Sequence, residues 1–134
     1  MIELRKITED NFEDVIDLKL ASHQENYLSP NIYSLAEAYA NIVSNKKHPY
    51  ITLAVYRSDE AVGFAMIEYF EELEKNNFFH KKFGDKASYY FFRFMIDEKY
   101  QGKGLGKQSA LKIIEFLRSF PQGKADSIAI AIPI

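Results

Sequence analysis

The residues whose types and spacing suit chemistry cluster in one segment, Gln101-Gly102-Lys103-Gly104-Leu105-Gly106-Lys107. Glycines at alternate positions let the backbone turn tightly and approach a ligand closely. An amphipathic stretch follows, so the segment opens a helix. The first N–H groups of a helix have no intrahelical acceptor, and its dipole favours an anion there. Lys103 and Lys107 add positive charge. Together these features suit a pyrophosphate. The segment is not a Walker A loop, because no Gly-Lys-Ser/Thr stands at the required spacing. Nor is it the G-x-G-x-x-G of a first-strand dinucleotide site. A plain strand–helix turn with solubilising lysines would use similar residues, but three alternate glycines behind a glutamine favour the phosphate site.

Other chemistry is thinner. Glu68, on an expected strand, could accept a proton directly or through water, or simply face solvent. Glu25, Tyr27, Glu71 and Glu72 could form an acidic rim for a cationic amine, or be ordinary solvated loop residues. His23, His48 and His80 show no H-x-H or H-E-x-x-H spacing, so no metal site is expected. The absence of cysteine excludes a disulfide framework, thiolate-bound zinc and a Cys nucleophile. No G-x-S-x-G supports a hydrolase. Tyr89-Tyr90-Phe91-Phe92 reads as core strand rather than as a base-stacking platform. Phe78-Phe79, in a polar stretch, reads as a cover over a site or a subunit contact.

The elements that must position the glycine segment follow from periodicity. Residues 2–7 alternate as a short strand, and Thr8 or Asp10 can cap a helix that carries Phe12, Val15, Ile16 and Leu20 on one face. A second helix is expected from Ser34 to Asn45 with Leu35, Ala38, Tyr39, Ile42 and Val43 on one face. Residues 50–56 and 61–70 read as an antiparallel hairpin around Ser58-Asp59-Glu60. Ser88 to Ile96 is a central strand buried on both faces. Leu105 to Phe120 is a helix stopped by Pro121-Gln122-Gly123, and residues 127–132 are the last strand. The order is β-α-α-β-β-β-α-β, an α/β (α+β) fold with a mixed, mostly antiparallel sheet flanked by helices. The final strand–helix–strand unit should be a parallel crossover.

At 134 residues one domain is expected over residues 1–134, and 47% hydrophobic with 27% charged residues argues against disorder. No apolar run reaches the ~18–20 residues of a membrane span, and the first residues lack signal-peptide order, so a cytoplasmic protein without a membrane partner is expected. A net charge of −2 argues against a nucleic-acid partner. The distribution is uneven. Residues 9–25 carry six acids and one base, whereas residues 99–124 carry six bases and one acid. An anionic ligand suits the second region and a cationic one the first; two solvated faces are the plainer alternative.

Gln101-x-x-Gly104-x-Gly106 resembles the Gln/Arg-x-x-Gly-x-Gly/Ala pyrophosphate loop of the Gcn5-related N-acetyltransferases (GNAT). The strand and acidic-Tyr turn before it, Phe94-Met95-Ile96-Asp97-Glu98-Lys99-Tyr100, and the element order are similar too. Val62-Gly63-Phe64-Ala65-Met66, Arg93-Phe94-Met95-Ile96-Asp97 and Tyr100 to Lys107 are similar to bacterial spermine/spermidine acetyltransferases. The resemblance implies acetyl-coenzyme A as cosubstrate. Its pantetheine would pair with the backbone of Phe94 and Ile96, and its pyrophosphate would take the N–H groups of Gly102 to Lys107. The thioester would lie where this strand splays from residues 127–132. An amine, polyamine-like, would attack the thioester directly.

Two departures stand out. Phe92 occupies the place where polyamine acetyltransferases commonly carry an acid. The family's further helix, with its proton-donating Tyr, and its closing strands have no counterpart here, so the fold is expected to be truncated after the fifth strand. The expected activity is acetyl transfer to a small cationic amine. The alternatives are a catalytically impaired acetyl-coenzyme A-binding domain and an unrelated nucleotide-phosphate binder. An unpaired last strand would also favour a homo-oligomer, a dimer first.

Overall fold

The computed structural model describes residues 1–26, 28–44, 47–72 and 86–131. Tyr27, the Phe78-Phe79 pair, His80 and Ile132 at the end of the expected fifth strand lie outside the described residues. The strands β1 (Ile2–Arg5), β2 (Ile51–Arg57), β3 (Glu60–Phe70), β4 (Ser88–Ile96) and β5 (Ser127–Ile130) form one sheet in the order β1-β2-β3-β4-β5. The helices among the described residues are α1 (Phe12–Ile16), α2 (Asn31–Val43) and α3 (Leu105–Leu117), with 3-10 turns at Ser22–Gln24 and Glu98–Tyr100. The element order is the one the periodicity predicts. Among the described residues, no helix is long and apolar enough to cross a membrane.

Ser58 and Asp59 form the tip of the β2–β3 hairpin, both at positive φ (50° and 63°), between the paired Arg57 and Glu60. A two-residue turn of that kind matches the twist of the strands it joins. Successive strands pair antiparallel up to β4; β4 and β5 are parallel, joined across α3. The sheet has two covered faces. Ile67, Tyr89, Phe91, Phe94 and Ile96 pack with Ile113 and Leu117 under α3. Phe64, Met66 and Met95 pack with Val15 and Ala38 under α1 and α2.

These two lists expose an irregularity in β4. Side chains of a regular strand alternate, so residues three apart face opposite ways. Yet Phe91 and Phe94 share the α3 face, their rings edge-on at 5.6 Å. The β3–β4 register explains it: Met66 pairs Arg93 and Ile67 pairs Phe91, which leaves Phe92 as an extra residue. This β-bulge turns both Phe92 and Arg93 toward α2 and changes the phase of everything after it. The expectation that β4 is buried on both faces holds except here. Tyr90, Phe92 and Arg93 are only half-buried.

Both N-terminal helices differ from expectation. α1 ends at Ile16 instead of continuing to Leu20, and its N-cap residue is Asn11, not Thr8 or Asp10. The Thr8 and Asp10 backbones are instead held in the preceding turn, where Asn11 Oδ1 accepts from Thr8 N at 2.8 Å and Thr8 Oγ1 from Asp10 N. α2 begins at Asn31, before the expected Ser34, and is rotated. Its buried residues are Asn31, Ser34, Ala38 and Asn41, whereas Tyr39, Ile42 and Val43 face solvent. Specific polar partners turn it that way. Asn31 Nδ2 donates to Val15 O at 2.9 Å, Asn41 Oδ1 accepts from Tyr50 N at 3.0 Å, and Ser34 Oγ accepts from Arg93 Nη1 at 3.2 Å. Helix α3 stops at Leu117, three residues before the expected Phe120, which sits at positive φ (58°) and cannot continue a helix.

Candidate functional site

The parallel β4–β5 ladder runs from Ser88–Ser127 to Phe91–Ile130 and closes with Ala131 N donating to Phe91 O at 3.1 Å. The bulge follows at once. Asp97 N donates to Val62 O on β3, whereas Ile96 O accepts from Gln101 Nε2 at 2.9 Å. The backbone of β4 beyond Phe92 therefore has an edge turned away from β3 with no strand on it among the described residues. That open edge leads directly to the glycine segment.

The segment itself is set by Asp97, a buried carboxylate. Its Oδ1 accepts from Lys99 N at 3.0 Å and its Oδ2 from Lys19 N at 2.9 Å, while Lys19 O accepts from Glu98 N. The end of β4 is thus tied to the chain after α1. Tyr100 is buried beneath the turn, with Arg57, Lys99 and Lys103 each within 6 Å of its ring centroid. Gly102 and Gly104 follow at φ 78° and 76°, a region that L side chains avoid. Gly104 is the N-cap position of α3. Among the described residues, the amides of Gly102 to Lys107 donate to no protein acceptor, as the first turn of a helix requires. A Cβ on Gly102 or Gly106 would meet nothing within 4 Å, and one on Gly104 only Gln108 Nε2 at 4.0 Å. The glycines hold open a backbone cradle of free donors ringed by lysines. An anionic diphosphate fits that donor set.

A cleft of about 180 Å³ joins the open edge to the cradle, lined by Gln24, Phe94, Met95, Ile96, Gln101, Gly102 and Gly106. The structure thereby brings together Phe94, Ile96, Gln101, Gly102 and Gly106 of the sequence-predicted cofactor residues. Lys103, Gly104 and Lys107 lie exposed beside them. Leu105 can offer only its amide, since its side chain is buried in the core under α3. Gln24 was not legible as a site residue. It lies on a 3-10 turn that the sequence pattern does not signal, and its Oε1 accepts from Gln101 Nε2 at 3.1 Å.

On the other face of the bulge lies a second group. Glu68 is half-buried on β3 opposite Tyr90, in line with Phe64 and Met66 on the α2 face. Phe92 packs against the rings of Tyr50 (5.5 Å) and Tyr90 (5.3 Å). Arg93 pairs with Glu37 of α2 and lies over Phe92 and Tyr33. The Tyr50 hydroxyl is pushed above the usual phenol range, chiefly by burial and then by the charges of Glu68 and Glu37, with Arg93 opposing. Two carboxylates and an aromatic wall thus stand beside the point where the described β4–β5 pairing ends. Glu37, Tyr50 and Arg93 escaped the sequence reading. The available signals were a lone charge in each of two otherwise uncharged elements, Glu37 in α2 and Arg93 amid the aromatics of β4.

The expected acidic rim is not one site. Glu25 lines a separate pocket of about 370 Å³ with Leu18, Leu28, Pro30 and Glu98, near the end of β4. Glu71 lies past Phe70, which pairs with Ser88 at the start of β4. The two ends of that strand are roughly 25 Å apart at ~3.3 Å per residue. Glu71 is already paired with Lys47 (2.9 Å) and His48 (2.7 Å), whose hydrogen bonds hold its carboxyl below the usual range. Glu72 beside it is exposed, and Tyr27 lies outside the described residues. Among the described residues, no group of three His, Cys, Asp or Glu side chains could hold a metal ion.

Comparison with known proteins agrees with this geometry. Residues 12–131 match the model of the acetyltransferase (GNAT) family. Over 116 residues the chain is 31% identical to the spermine/spermidine N(1)-acetyltransferase of Bacillus subtilis strain 168, covering 87% of this chain and 68% of that protein. Among solved structures, a GNAT family acetyltransferase of Staphylococcus aureus superimposes with a TM-score of 0.63 at 15% identity, over 99% of this chain and 87% of that one. The aminoglycoside N-acetyltransferase AAC(6')-Iy, solved with CoA, gives 0.62 at 11% identity, over 99% of this chain and 78% of that one. At such identities these structures speak for the fold alone.

Proposed function

This chain belongs to the acetyltransferase (GNAT) family of acyl-CoA-dependent N-acetyltransferases, and from that premise we propose that it transfers an acetyl group from acetyl-coenzyme A to a primary amine of a small, cationic, polyamine-like acceptor. The observation that carries this reading is the β4 edge beyond Phe92, open among the described residues and running into a cradle of amides, Gly102 to Lys107, that have no acceptor among them. When bound, acetyl-coenzyme A supplies the activated acyl group. The residues do the rest. The backbone at Phe94 offers the strand edge to the pantetheine amides, and the cradle amides take the pyrophosphate. Lys103 and Lys107 add charge. Ile96 O keeps its bond to Gln101, which props the loop open.

The acceptor would arrive from the α2 face. There Glu68 would attract a cation, Glu37 being engaged by Arg93, and Tyr50, Tyr90 and Phe92 offer ring surface to its carbon chain. An alkylamine with a pKa near ~10 must lose a proton before it can attack. We assign that step to Glu68, half-buried on β3 opposite Tyr90. The relatives named for spermine and spermidine support the acceptor class.

The test pairs two measurements. Calorimetry should show acetyl-coenzyme A binding to the chain, and thiol release should be stimulated by spermidine or spermine more than by an aminoglycoside or a peptide α-amine. Preference for the latter acceptors would overturn the acceptor class. Binding without turnover on any amine would favour the impaired, binding-only reading.

A further inference from the structure

Helix α2 is inside out. Its polar residues Asn31, Ser34 and Asn41 are buried, while Ile32, Tyr33, Tyr39, Ile42 and Val43 are each more than half exposed. Its single charged residue, Glu37, turns inward to Arg93. No formal charge is left on the outer face. Ile32, Ala36, Tyr39 and Val43 recur there at spacings of four, three and four, the seam of a helix that packs along another.

We propose that this face is a homodimer interface in which α2 of one copy lies antiparallel on α2 of a second. Three features select a second copy. An uncharged stripe is self-complementary, because a two-fold axis sets apolar side chains against apolar side chains and brings no like charges together. The area suits it. Two tyrosines at roughly 150–250 Å² each when covered, with three aliphatic side chains, put the face at on the order of 600 Å² per copy, near the ~800 Å² a standard interface takes from each partner. A lipid surface would call for lysine or arginine along the polar flank, and α2 has neither.

The axis would pass near Ala36 and Tyr39, the middle of the stripe. This pairing differs from edge-to-edge association of β5, a strand of four residues. It also gives the dimer a bearing on the acceptor face. The inner side of α2 holds Arg93 through Ser34 and Glu37, so a partner that immobilises α2 steadies that wall. The proposal does not depend on which amine is acetylated.

Light scattering after gel filtration, over a concentration series, should give twice the chain mass. Tyr39→Glu places a charge on the axis and should raise the dimer dissociation constant by ~30-fold or more. Because Tyr39 is exposed, far-UV circular dichroism and acetyl-coenzyme A affinity should not change. The chain has no cysteine, so single-cysteine variants report position cleanly. Oxidised Ala36→Cys should run as a covalent dimer, and Lys112→Cys on α3 should not. A monomer at every concentration overturns the proposal. So does a dimer that Tyr39→Glu leaves intact, or one that fails to cross-link through Ala36→Cys.

Discussion

Replacing Gly106 with valine tests the cradle with little disturbance to the fold. Gly106 is the second residue of α3, its φ is not among the positive values, and a Cβ there meets nothing within 4 Å. The backbone need not move. Helix propensity changes in favour of valine by a few tenths of a kcal/mol, since glycine is among the poorest helix formers. The two added γ-methyl groups would enter the cleft of about 180 Å³ where we propose that the cofactor's diphosphate binds. They would hold it off the amides. A hydrogen bond to a charged group is worth ~1.5–3 kcal/mol, so losing two costs about 3 kcal/mol or more, a fall of ~100-fold or more in affinity. Calorimetry with acetyl-coenzyme A should read that loss, while thermal unfolding without ligand should stay within ~2 °C of the parent. Gly106→Ala adds only one methyl group and keeps to the Gly/Ala of the loop pattern, so it should bind within ~3-fold of the parent. Lys103→Ala removes an exposed charge worth ~1 kcal/mol at most, or ~5-fold. Gly104→Val is less informative, because φ 76° adds strain of ~1–2 kcal/mol to any steric effect. Binding by Gly106→Val within ~3-fold of the parent, or a Lys103→Ala loss as large as the valine's, would refute the reasoning.

Glu68→Gln should lower kcat for a polyamine acceptor by ~10²–10⁴-fold and leave acetyl-coenzyme A affinity unchanged; an unaltered pH–rate profile would remove Glu68 from proton transfer. Tyr89→Phe deletes a hydroxyl that donates to Gly123 O and accepts from the amides of Gln122 and Gly123. Stranding those groups should cost about 2 kcal/mol, read as a fall of about 8 °C in Tm at ~4 °C per kcal/mol. Glu71 should titrate below an ordinary glutamate by NMR, because Lys47 and His48 stabilise its charged form. Its contribution to stability is then fully present above the ordinary carboxylate range and fades as the pH falls through the lowered value. Lys47→Ala with His48→Ala should return the titration to the ordinary range, and no change would sink the assignment.

The glycine segment was legible because its demands are local. Positive φ, a helix start and free amides are all functions of a few adjacent residues. β4 was legible from its run of aromatics, and its parallel pairing with β5 from the helix between them. The bulge at Phe92 was not. A surplus residue is defined only against a partner strand, and nothing in Phe91-Phe92-Arg93 announces which of them Met66 will face. α2 misled for a related reason. Its apolar pattern marks a well-formed stripe, but the rule that apolar faces turn inward assumes water on the other side. The side chains that orient it, Asn31, Ser34 and Asn41, are recognised by partners far along the chain: Val15, Arg93 and Tyr50. Glu25, Tyr27, Glu71 and Glu72 are linked in the sequence only by residue type, and composition carries no distances.

The bulge also decides what kind of change this protein can absorb. The set of backbone groups that β4 presents beyond Phe92 is fixed by a count of residues rather than by their identities. One residue too many reverses which carbonyls and amides point away from β3, so beyond Phe92 it is Phe94 and Ile96, not Arg93 and Met95, that present theirs on that side. Substitutions at Phe92 alter its packing against Tyr50 and Tyr90 but leave the parity of the strand intact. Removal of either residue between Tyr90 and Arg93 should restore regular alternation and turn a different set of amides and carbonyls to that side, although each remaining side chain is individually suited to a strand. Single-residue deletions here should act like a frameshift in space, whereas replacements keep the parity.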